Sequence, residues 1–581
     1  MELAYNREPS TSIRNWEHEA WTGYKAIGST ILDKASISKK TVVVIECYPG
    51  VRQEEVITGI SSFLNPAAIF RAEEAAIDPI EVDRLVDGFL TDDRVFGFMT
   101  SFQINEFYDQ AKIVSLQSQI EAISGGIIVV IGFGASLIAA GDVLVYADMA
   151  RWEIQLRLRS KEIENWRTSH PEEDMLRRYK RGFFFEWRMA DNLKKTLLGS
   201  IDYYLDTNAK DDPKMVSKSA LFAGLEQTVN RPFRLVPYFD PGVWGGTWLE
   251  ANIGLPKREH PYAWGFDGVP EENSLYFQYG PVRIELPAIN LVFFESIKLL
   301  GEKVFESFGA EFPIRFDFLD TIGGQSLSLQ VHPTNEYIKE HFGMPYTQDE
   351  SYYILEATPG AEVYLGLKEG IDSAAMIADL NKAQEDGYSF PANDYINVYP
   401  AVKHDHFLIP AGTIHCSGAG CMVLEISATP YIFTFKLWDW ERLGLDGKPR
   451  PVHVEHGSKV IQWDRDTKWT TSECVGRVER IAEGQGWIEE RTGLHALEFI
   501  ETRRHWFSVP VSHESNGSVH MLNLVEGEEA TIESPDGAFE PFIIHYAETF
   551  IIPAHVAAYS IRPSGPSVGK TIGTIKAYVR V

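Results

Sequence analysis

Four residues in the middle of the chain have the types and the spacing of a divalent-metal site. Gln330 and His332 stand two positions apart in LSLQVHP, so both side chains face one side of a predicted strand. Glu350 begins ESYYILEA, and His415 lies in IPAGTIHC. Two imidazoles with a carboxylate and an amide oxygen suit Zn²⁺, and less selectively Mn²⁺, Fe²⁺ or Co²⁺. The alternative is two unrelated histidines in turns.

Short strands broken by glycine and proline must position these residues. Patterns such as AEVYLG, HFLIPAG and MVLEIS recur over residues 233–470, with one helical insertion at 288–308. The same texture continues over residues 471–581, where FIIPAHVAAY has the form of FLIPAGTIHC in the middle part. Regularly spaced strands of this kind favour an antiparallel sandwich or barrel. The faint duplication predicts two all-β domains of one kind, each a jelly roll.

The first 205 residues have a different pattern, in which apolar runs alternate with helical segments. The order βαβα predicts a doubly wound α/β domain with a parallel sheet over residues 1–205. The polar run DTNAKDDP then predicts a linker over residues 206–232. The uncharged stretch from Ala122 to Gly141 is long enough to cross a bilayer. Its five glycines and the acid at each end favour a buried strand instead.

The composition and charge exclude several classes of protein. Aromatic residues make up 12% of the chain, which excludes a disordered one. A net charge of −28 argues against nucleic acid as a partner and, more weakly, against an anionic membrane surface. Four cysteines without a C-x-x-C pair make neither a disulfide framework nor a thiolate zinc site. The charged N-terminus lacks a signal-peptide core, so we expect a cytoplasmic protein, with oligomerisation left open.

The motifs of the middle part resemble those of the cupin-type (type I) phosphomannose isomerases. They follow the family's order: VWGGTWL (243–249), LSLQVHPTNEY (327–337), DESYYILEATPGAEVYLG (349–366), FLIPAGTIHCSG (407–418), MVLEIS (422–427) and FKLWDWERLGLDGKPRPVH (435–453). Together they cover about 230–460, and residues 471–581 are similar to the family's degenerate second cupin. The resemblance implies a zinc-dependent isomerase that interconverts mannose 6-phosphate and fructose 6-phosphate through a cis-enediol.

The resemblance also implies roles for individual residues. The residues at the family's zinc-ligand positions are Gln330, His332, Glu350 and His415. Lys436 stands where the family has an arginine thought to assist catalysis. Glu425 matches an acidic residue of the family's pocket, although a strand carboxylate pointing outward is the alternative. Ser328 retains a serine usual in its strand, and Gln348 replaces a basic residue near the substrate.

The departures from the family pattern concern its cations. Asp317 also stands at a position that is usually basic, and the spacing from Glu425 to Lys436 is one residue longer than usual. A one-residue slip reverses the side-chain face of a strand. The substrate is therefore expected to be a small sugar or sugar phosphate, with three readings open. The chain is a phosphosugar isomerase, an isomerase for a different or unphosphorylated sugar, or a metal-dependent sugar-binding or regulatory protein without turnover.

Residues 40–205 weakly resemble P-loop nucleoside kinases such as uridine kinases. The segment after TVVVI reads ECYPGVRQEE, which lacks the lysine and the serine or threonine that a P-loop needs, and Arg52 is its only cation. The resemblance therefore implies an eroded nucleotide loop. ATP is not an expected cofactor, and a structural or regulatory role is expected. The basic run RRYKR at 177–181 is interpreted as a solvated helix face, with an anion site as the alternative.

Overall fold

The computed structural model describes residues 4–35, 39–385, 388–430, 432–493 and 495–580. The chain divides into two units. The α/β unit consists of Ser10–Gln227 and Ser274–Phe294. The β unit consists of Met1–Pro9, Thr228–Asn273 and Glu295–Val581. The coarse expectation of an α/β part followed by a β-rich part is confirmed.

The elements of the α/β unit alternate as the sequence predicts. Its strands before residue 228 are β1 (Ser10–Ser12), β2 (Ala20–Thr22), β3 (Lys40–Cys47), β4 (Ala68–Arg71), β5 (Gly126–Gly132), β6 (Val143–Asp148), β7 (Tyr203–Asp206) and β8 (Lys214–Ser217). Its helices there are α1 (Gly23–Ala35), α2 (Gln53–Leu64), α3 (Pro79–Leu90), α4 (Gln110–Ala122), α5 (Ala135–Ile138), α6 (Arg151–Arg159), α7 (Met175–Arg181), α8 (Trp187–Leu197) and α9 (Lys218–Val229).

A mixed sheet forms the centre of this unit, in the order β2-β8-β7-β6-β3-β5-β4. Strands β4, β5, β3, β6 and β7 are parallel, while β8 and β2 join antiparallel. Val43, Val44 and Ile45 of β3 are fully buried, as is typical of a parallel strand covered on both faces. The glycine-rich stretch at 122–141 supplies β5 and the short helix α5. Among the described residues, no helix combines the length and apolar character that a bilayer crossing requires.

The middle of the chain is built mainly from strands. These are β9 (Tyr238–Pro241), β10 (Tyr262–Gly268), β11 (Ser274–Tyr279), β12 (Val282–Pro287), β13 (Ile314–Asp320), β14 (Leu329–Val331), β15 (Glu350–Ala357), β16 (Glu362–Leu367), β17 (Ile396–Pro400), β18 (His406–Ile409), β19 (His415–Ser417), β20 (Cys421–Ala428) and β21 (Phe435–Trp438). Its helices are α10 (Trp248–Ile253), α11 (Ile289–Phe294), α12 (Ser296–Leu300), α13 (Glu302–Phe308), α14 (Asn335–Phe342), α15 (Ser373–Lys382), α16 (Ala392–Tyr395), α17 (Val454–Val460) and α18 (Thr467–Glu473).

Two antiparallel sheets organise this middle part. Sheet I has the order β18-β15-β20-β13-β10-β9, and sheet II has the order β17-β16-β19-β14-β21. Strands β11 and β12 belong instead to the α/β unit, where they form a hairpin that β1 extends in parallel. The strands of the β unit therefore come from chain segments before and after this hairpin in the sequence.

The C-terminal part repeats the two-sheet arrangement. Its strands are β22 (Glu479–Gly484), β23 (Trp487–Gly493), β24 (Ile500–Phe507), β25 (Val511–Glu514), β26 (His520–Glu526), β27 (Glu529–Glu533), β28 (Phe542–His545), β29 (Thr549–Ile552), β30 (Ala558–Pro563) and β31 (Ile572–Val579). Sheet III has the order β22-β23-β24-β31-β26-β29, and sheet IV has the order β25-β30-β27-β28. Apolar residues of both sheets form one core, which includes Leu522, Ile532 and Phe550.

The predicted linker over residues 206–232 is wrong. The polar run DTNAKDDP is the turn between the antiparallel strands β7 and β8, and α9 follows it in the same unit. The predicted insertion at 288–308 consists of the short helices α11, α12 and α13, of which the first belongs to the α/β unit. A polar, proline-ending run fits a surface turn as well as a linker, which explains the error.

A buried ion cluster in the β unit offers a test of its packing. Arg234 is 2% exposed and contacts Asp267 at 3.2 Å and Glu548 at 2.6 Å. We expect Arg234→Ala to lower the free energy of unfolding of the β unit by about 3–5 kcal/mol, because two buried carboxylates lose their cation. Urea unfolding measures the shift in midpoint. The control is Arg480→Ala, whose exposed pair with Glu483 contributes little; equal midpoints for the two variants would contradict the expectation.

Candidate metal centre

The four predicted ligands come from both sheets of the middle part. Gln330 in β14 and His415 in β19 are directly opposite in the antiparallel ladder of sheet II, so their side chains leave the same face. His332 follows two residues after Gln330 and shares that face. Glu350 is the first residue of β15 in sheet I. All four residues are buried, so the strands bring them together inside the β unit.

The two imidazoles meet at the carboxylate of Glu350. The Nε2 atom of His332 lies 3.1 Å from one oxygen of Glu350, and the Nε2 atom of His415 lies 2.7 Å from the other. One ligand atom from each of these three residues lies within 4.8 Å of the others. The side-chain amide of Gln330 lies 3.3 Å from Nε2 of His415. The geometry therefore brings together all four residues at the predicted ligand positions.

In each imidazole ring, the hydrogen bond made by Nδ1 determines whether Nε2 carries a lone pair. Nδ1 of His415 lies 2.9 Å from the carbonyl oxygen of Thr413, and Nδ1 of His332 lies 3.4 Å from that of Phe433. A carbonyl only accepts, so Nδ1 is the donor and Nε2 of a neutral ring carries a lone pair.

Lone pairs of both rings thus face an anionic carboxylate in a buried space. In the described part of the chain, Nε2 of His332 and Oε1 of Glu350 have no hydrogen-bond partner. A divalent cation would satisfy every one of these atoms, and the nitrogen and oxygen donor set fits Zn²⁺.

Glu425 and Gln348 lie beside this centre. The side-chain nitrogen of Gln348 donates to Glu350 at 2.9 Å and to Glu425 at 3.1 Å. Glu425 is buried, so it does not point outward from its strand, which was the alternative. Burial raises the pKa of Glu425 well above its usual range, and the carboxylates of Asp317 and Glu350 raise it further. Gln348 therefore links a second carboxyl group to the predicted ligand Glu350.

Asp317, which stands at a position expected to be basic from the family pattern, is opposite Glu425 in the ladder of β13 and β20. Arg315 contacts both acids, with Asp317 at 3.2 Å and Glu425 at 3.5 Å. Burial raises the pKa of Asp317 to about 6, although Arg315 opposes this shift. Arg315 is thus engaged by carboxylates of the protein itself.

Lys436 faces the centre despite the altered spacing. It is directly opposite Gln330 in the ladder of β14 and β21, so the two side chains share a face. The register shifts between Leu329 and Gln330, which leaves Leu437 as an extra residue in β21. Burial lowers the pKa of Lys436 to about 7, and the charge of Arg450 lowers it further. The bulge therefore determines the register of β21, the strand in which the spacing from Glu425 to Lys436 differs from the family pattern.

A group of basic residues surrounds Asp439 next to Ser328. Ser328 donates to the carboxylate of Asp439, and Arg450 contacts both at 3.1 Å and 2.8 Å. Arg442 donates to the same carboxylate at 2.8 Å. Sequence reasoning missed Asp439, whose only signal was its place inside FKLWDWER. Lys403 instead pairs with two glutamates elsewhere.

The carboxyl ends of the parallel strands in the α/β unit bind the chain's own acids. Glu46, near the end of β3, accepts hydrogen bonds from the amides of Gly134 and Ser136 at 2.5 Å and 2.8 Å. Burial raises the pKa of Glu46 to about 7. Arg52, the only cation of the eroded loop, contacts Glu162 and Glu153. These donors are therefore already used within the unit.

The interpretation of residues 177–181 as a solvated helix face is wrong for three of its four basic side chains. Arg178, Lys180 and Arg181 are each at most 5% exposed. Arg178 and Lys180 donate to backbone carbonyls, and Arg181 contacts Asp83 and Glu186. Their donors are used inside the unit, which a linear charge pattern cannot reveal.

Comparison with known proteins finds one family model and several curated relatives, each matching part of the chain. Residues 23–230 match a family described as a domain of unknown function (DUF8485). A probable mannose-6-phosphate isomerase of Bacillus subtilis, GmuF, is 28% identical over 257 residues, which is 44% of this chain and 76% of the relative. The mannose-6-phosphate isomerase ManA of the same organism is 27% identical over 40% of this chain and 68% of the relative.

A solved structure is also similar. It is the mannose 6-phosphate isomerase from Bacillus subtilis, with a TM-score of 0.48 and 19% identity over 60% of this chain and 99% of that one. The sequence relatives bear out the resemblance that the motifs carry. The resemblance of residues 40–205 to P-loop kinases stays a prediction.

Metal content is the direct test of the centre. We expect the full chain to bind one divalent ion per molecule, and His332→Ala and Glu350→Ala to weaken that binding by more than about 100-fold, since even outer-shell changes cost 10–100-fold. Mass spectrometry of dialysed protein measures the ion. The matched control is His555→Ala, an exposed histidine of the same unit. Unchanged metal content in His332→Ala would show that the convergence of these side chains has another cause.

Proposed function

We propose that this chain, which is homologous over part of its length to the mannose-6-phosphate isomerases, is an aldose–ketose isomerase for a small sugar phosphate. Mannose 6-phosphate and fructose 6-phosphate are the first candidates for its substrate and product. The observation that carries the proposal is the meeting of His332, His415 and Glu350 around one point, with Gln330 beside them. The relatives are named for this reaction, and the ligand positions are those that their motifs imply.

The proposed metal ion and the nearby side chains have different roles in the reaction. A bound Zn²⁺ would supply Lewis-acid stabilisation of the charge that develops on the sugar oxygens. Glu425, oriented by Gln348, is the residue that we propose to take the proton from one of C1 and C2 as a carboxylate and to return it to the other. Its raised pKa makes that carboxylate a stronger base. Lys436, half-buried beside Gln330, is proposed to assist from the other sheet.

The basic group around Asp439 supports a phosphorylated substrate. Arg442 and Arg450 carry two positive charges against one carboxylate, which leaves an excess of one. Lys436, whose pKa is about 7, adds part of a further charge. A phosphomonoester carries about −1.5 to −2 charges at pH 7. Ser328 lies two residues before Gln330 on the same face, so it would bind between the phosphate and the sugar. These residues are proposed to replace the cations that the family pattern loses at Asp317 and Gln348.

A second candidate is a metal-dependent sugar-binding or regulatory protein without turnover, or an isomerase for an unphosphorylated sugar. The observation that favours it is the pair of carboxyl groups of Asp317 and Glu425, which occupies Arg315 next to the centre. Acid at this place opposes a second anion. The two candidates differ in whether the phosphate strengthens or weakens binding.

For the α/β unit we propose a structural or regulatory role without nucleotide. The amides of Gly134 and Ser136 bind Glu46, and Arg52 pairs with acids of the unit. A nucleotide phosphate would have to displace those carboxylates. The P-loop-like ancestry suggested by the sequence is compatible with a loop that has since lost its ligand.

Isomerase assays separate the candidates. We expect the zinc-loaded protein to convert mannose 6-phosphate and a chelated sample to lose this activity. Arg450→Met should raise KM for the phosphate sugar by at least about tenfold, because a charge-assisted contact contributes about 1.5–3 kcal/mol. Arg480→Met, an exposed surface change, is the control. Turnover of free mannose alone would favour the altered isomerase, and binding without turnover would favour the regulatory protein.

Nucleotide binding is tested by thermal unfolding. We expect ATP with Mg²⁺ to leave the melting temperature of the full chain unchanged, since the donors near β3 are occupied by Glu46 and the acidic partners of Arg52. A ligand at 100 times its dissociation constant would add about 2.7 kcal/mol to the unfolding free energy. A reproducible rise with ATP but not with adenosine would overturn the proposal and point to a phosphate-binding loop.

A further inference from the structure

The C-terminal β-domain contains a polar cavity that lies apart from the metal centre. Its volume is about 490 Å³, within the range of about 300–1,000 Å³ that small-molecule sites occupy. Its wall includes three basic residues and one acid, with hydroxyl and imidazole groups between them: Arg503, Lys576, Arg580, Glu514, Ser518, His520 and Tyr578. None of them belongs to the centre formed by Gln330, His332, Glu350 and His415.

Three neighbouring strands of sheet III build this wall. Arg503 of β24 is directly opposite Lys576 of β31, and His520 of β26 is directly opposite Tyr578 of β31. Opposed residues share a face, and so do Lys576 and Tyr578, which stand two apart. Leu522, opposite Lys576 on the other side, belongs to the apolar core. The inward face of sheet III is thus apolar at one end and charged at the other, where Glu501 is opposite Tyr578.

Lys576 is the unusual member of this wall. Its side chain is buried, with 6% of its surface exposed. Within the part of the chain that the structure describes, its ammonium group makes no hydrogen bond or ion pair. The nearby acids are used elsewhere, since Glu489 contacts Arg503 and His505, and Glu501 contacts Arg503. Its Nζ lies 5.8 Å from the centre of the Tyr578 ring, and no carboxylate pairs with it among the described residues. A lysine buried without a carboxylate partner is costly, which makes this ammonium group a candidate partner for an anion.

The histidines of the same domain do not form a second metal site. His513 stacks on the ring of Tyr559, and His520 shares a hydrogen bond with the hydroxyl of that tyrosine at 2.8 Å. In the described residues, the group of His, Cys, Asp and Glu side chains close enough to hold an ion is the one around Glu350. The chemistry of the cavity is therefore that of an anion receptor with hydroxyl and imidazole groups around it.

We propose that this cavity binds a small phosphate ester of a polyol, with Lys576 as the main partner of the phosphate. Arg580 adds positive charge to the same wall, whereas Arg503 is paired with Glu489 and Glu501. The hydroxyl groups of Ser518 and Tyr578 and the imidazole of His520 suit the hydroxyl groups of the ligand. Such a site is separate from the proposed catalytic site, so it can report the concentration of a phosphorylated metabolite to the same chain.

Equilibrium dialysis of the full chain with inorganic phosphate tests the proposal. We expect the wild type to bind phosphate at two sites, and Lys576→Met to weaken one of them by at least tenfold. The matched control is Lys570→Met, an exposed lysine of the same domain that pairs with Glu528 and should leave both sites intact. Arg450→Met should remove only the other site.

The outcomes are distinct. Wild-type binding that Lys576→Met leaves unchanged, or the absence of any phosphate binding, would overturn the proposal. Loss of one site in Lys576→Met together with no effect of Arg450→Met would support it and count against the catalytic phosphate group. Melting temperatures check folding, and Lys576→Met should melt no lower than the wild type because it removes an unpaired buried charge.

A second measurement needs no variant. Pyridoxal 5′-phosphate forms an imine with a lysine amine, with loss of water, and borohydride reduces this imine to a stable label. Burial lowers the pKa of Lys576 to about 8, which favours its reaction as the free amine. We expect peptide mapping to find the label on Lys576, with protection by inorganic phosphate. An unlabelled Lys576, or labelling that phosphate does not reduce, would contradict the site.

Discussion

The middle part of the chain depends on one constraint around Glu350. The lone pairs of two imidazole rings face the lone pairs of its carboxylate. Two imidazole nitrogens, each fixed as an acceptor by the bond of its partner nitrogen, face a carboxylate in a buried space. Without a cation, sheets I and II would close on mutually repelling atoms. The register of β14 against β19 and the place where β15 begins bring these atoms together, and the proposed divalent ion would hold the strands through them.

The three parts of the molecule treat buried charge in different ways. In the α/β unit, Glu46 accepts hydrogen bonds from backbone amides that follow β5, and Arg181 forms ion pairs with two acidic side chains. Such pairs stabilise a fixed structure but leave little capacity for a ligand. Around Asp439 the cations exceed the acids, and among the described residues no carboxylate pairs with Lys576. The β unit therefore retains the electrostatic imbalance that an anionic ligand would relieve.

Sequence reasoning succeeded where a local rule decides the outcome. Alternation along LSLQVHP places Gln330 and His332 on one face, and the unbroken apolar run of β5 identifies a buried strand rather than a membrane span. It failed where the same local pattern has two meanings. The run DTNAKDDP is a turn within a sheet rather than a linker, and the basic residues of α7 are buried rather than solvated, because neighbours distant in sequence decide both.

The sequence by itself determined the donor types of the candidate centre, the α/β-then-β order of the chain and the absence of a P-loop lysine and serine or threonine after β3. These follow from residue identity and from short-range periodicity, which act without reference to the rest of the fold. Only the tertiary structure decided that Lys436 faces Gln330 across a bulge, that Arg442 and Arg450 gather on Asp439 and that Lys576 is buried. Distances between strands far apart in the chain depend on register and sheet closure, and no local pattern contains them.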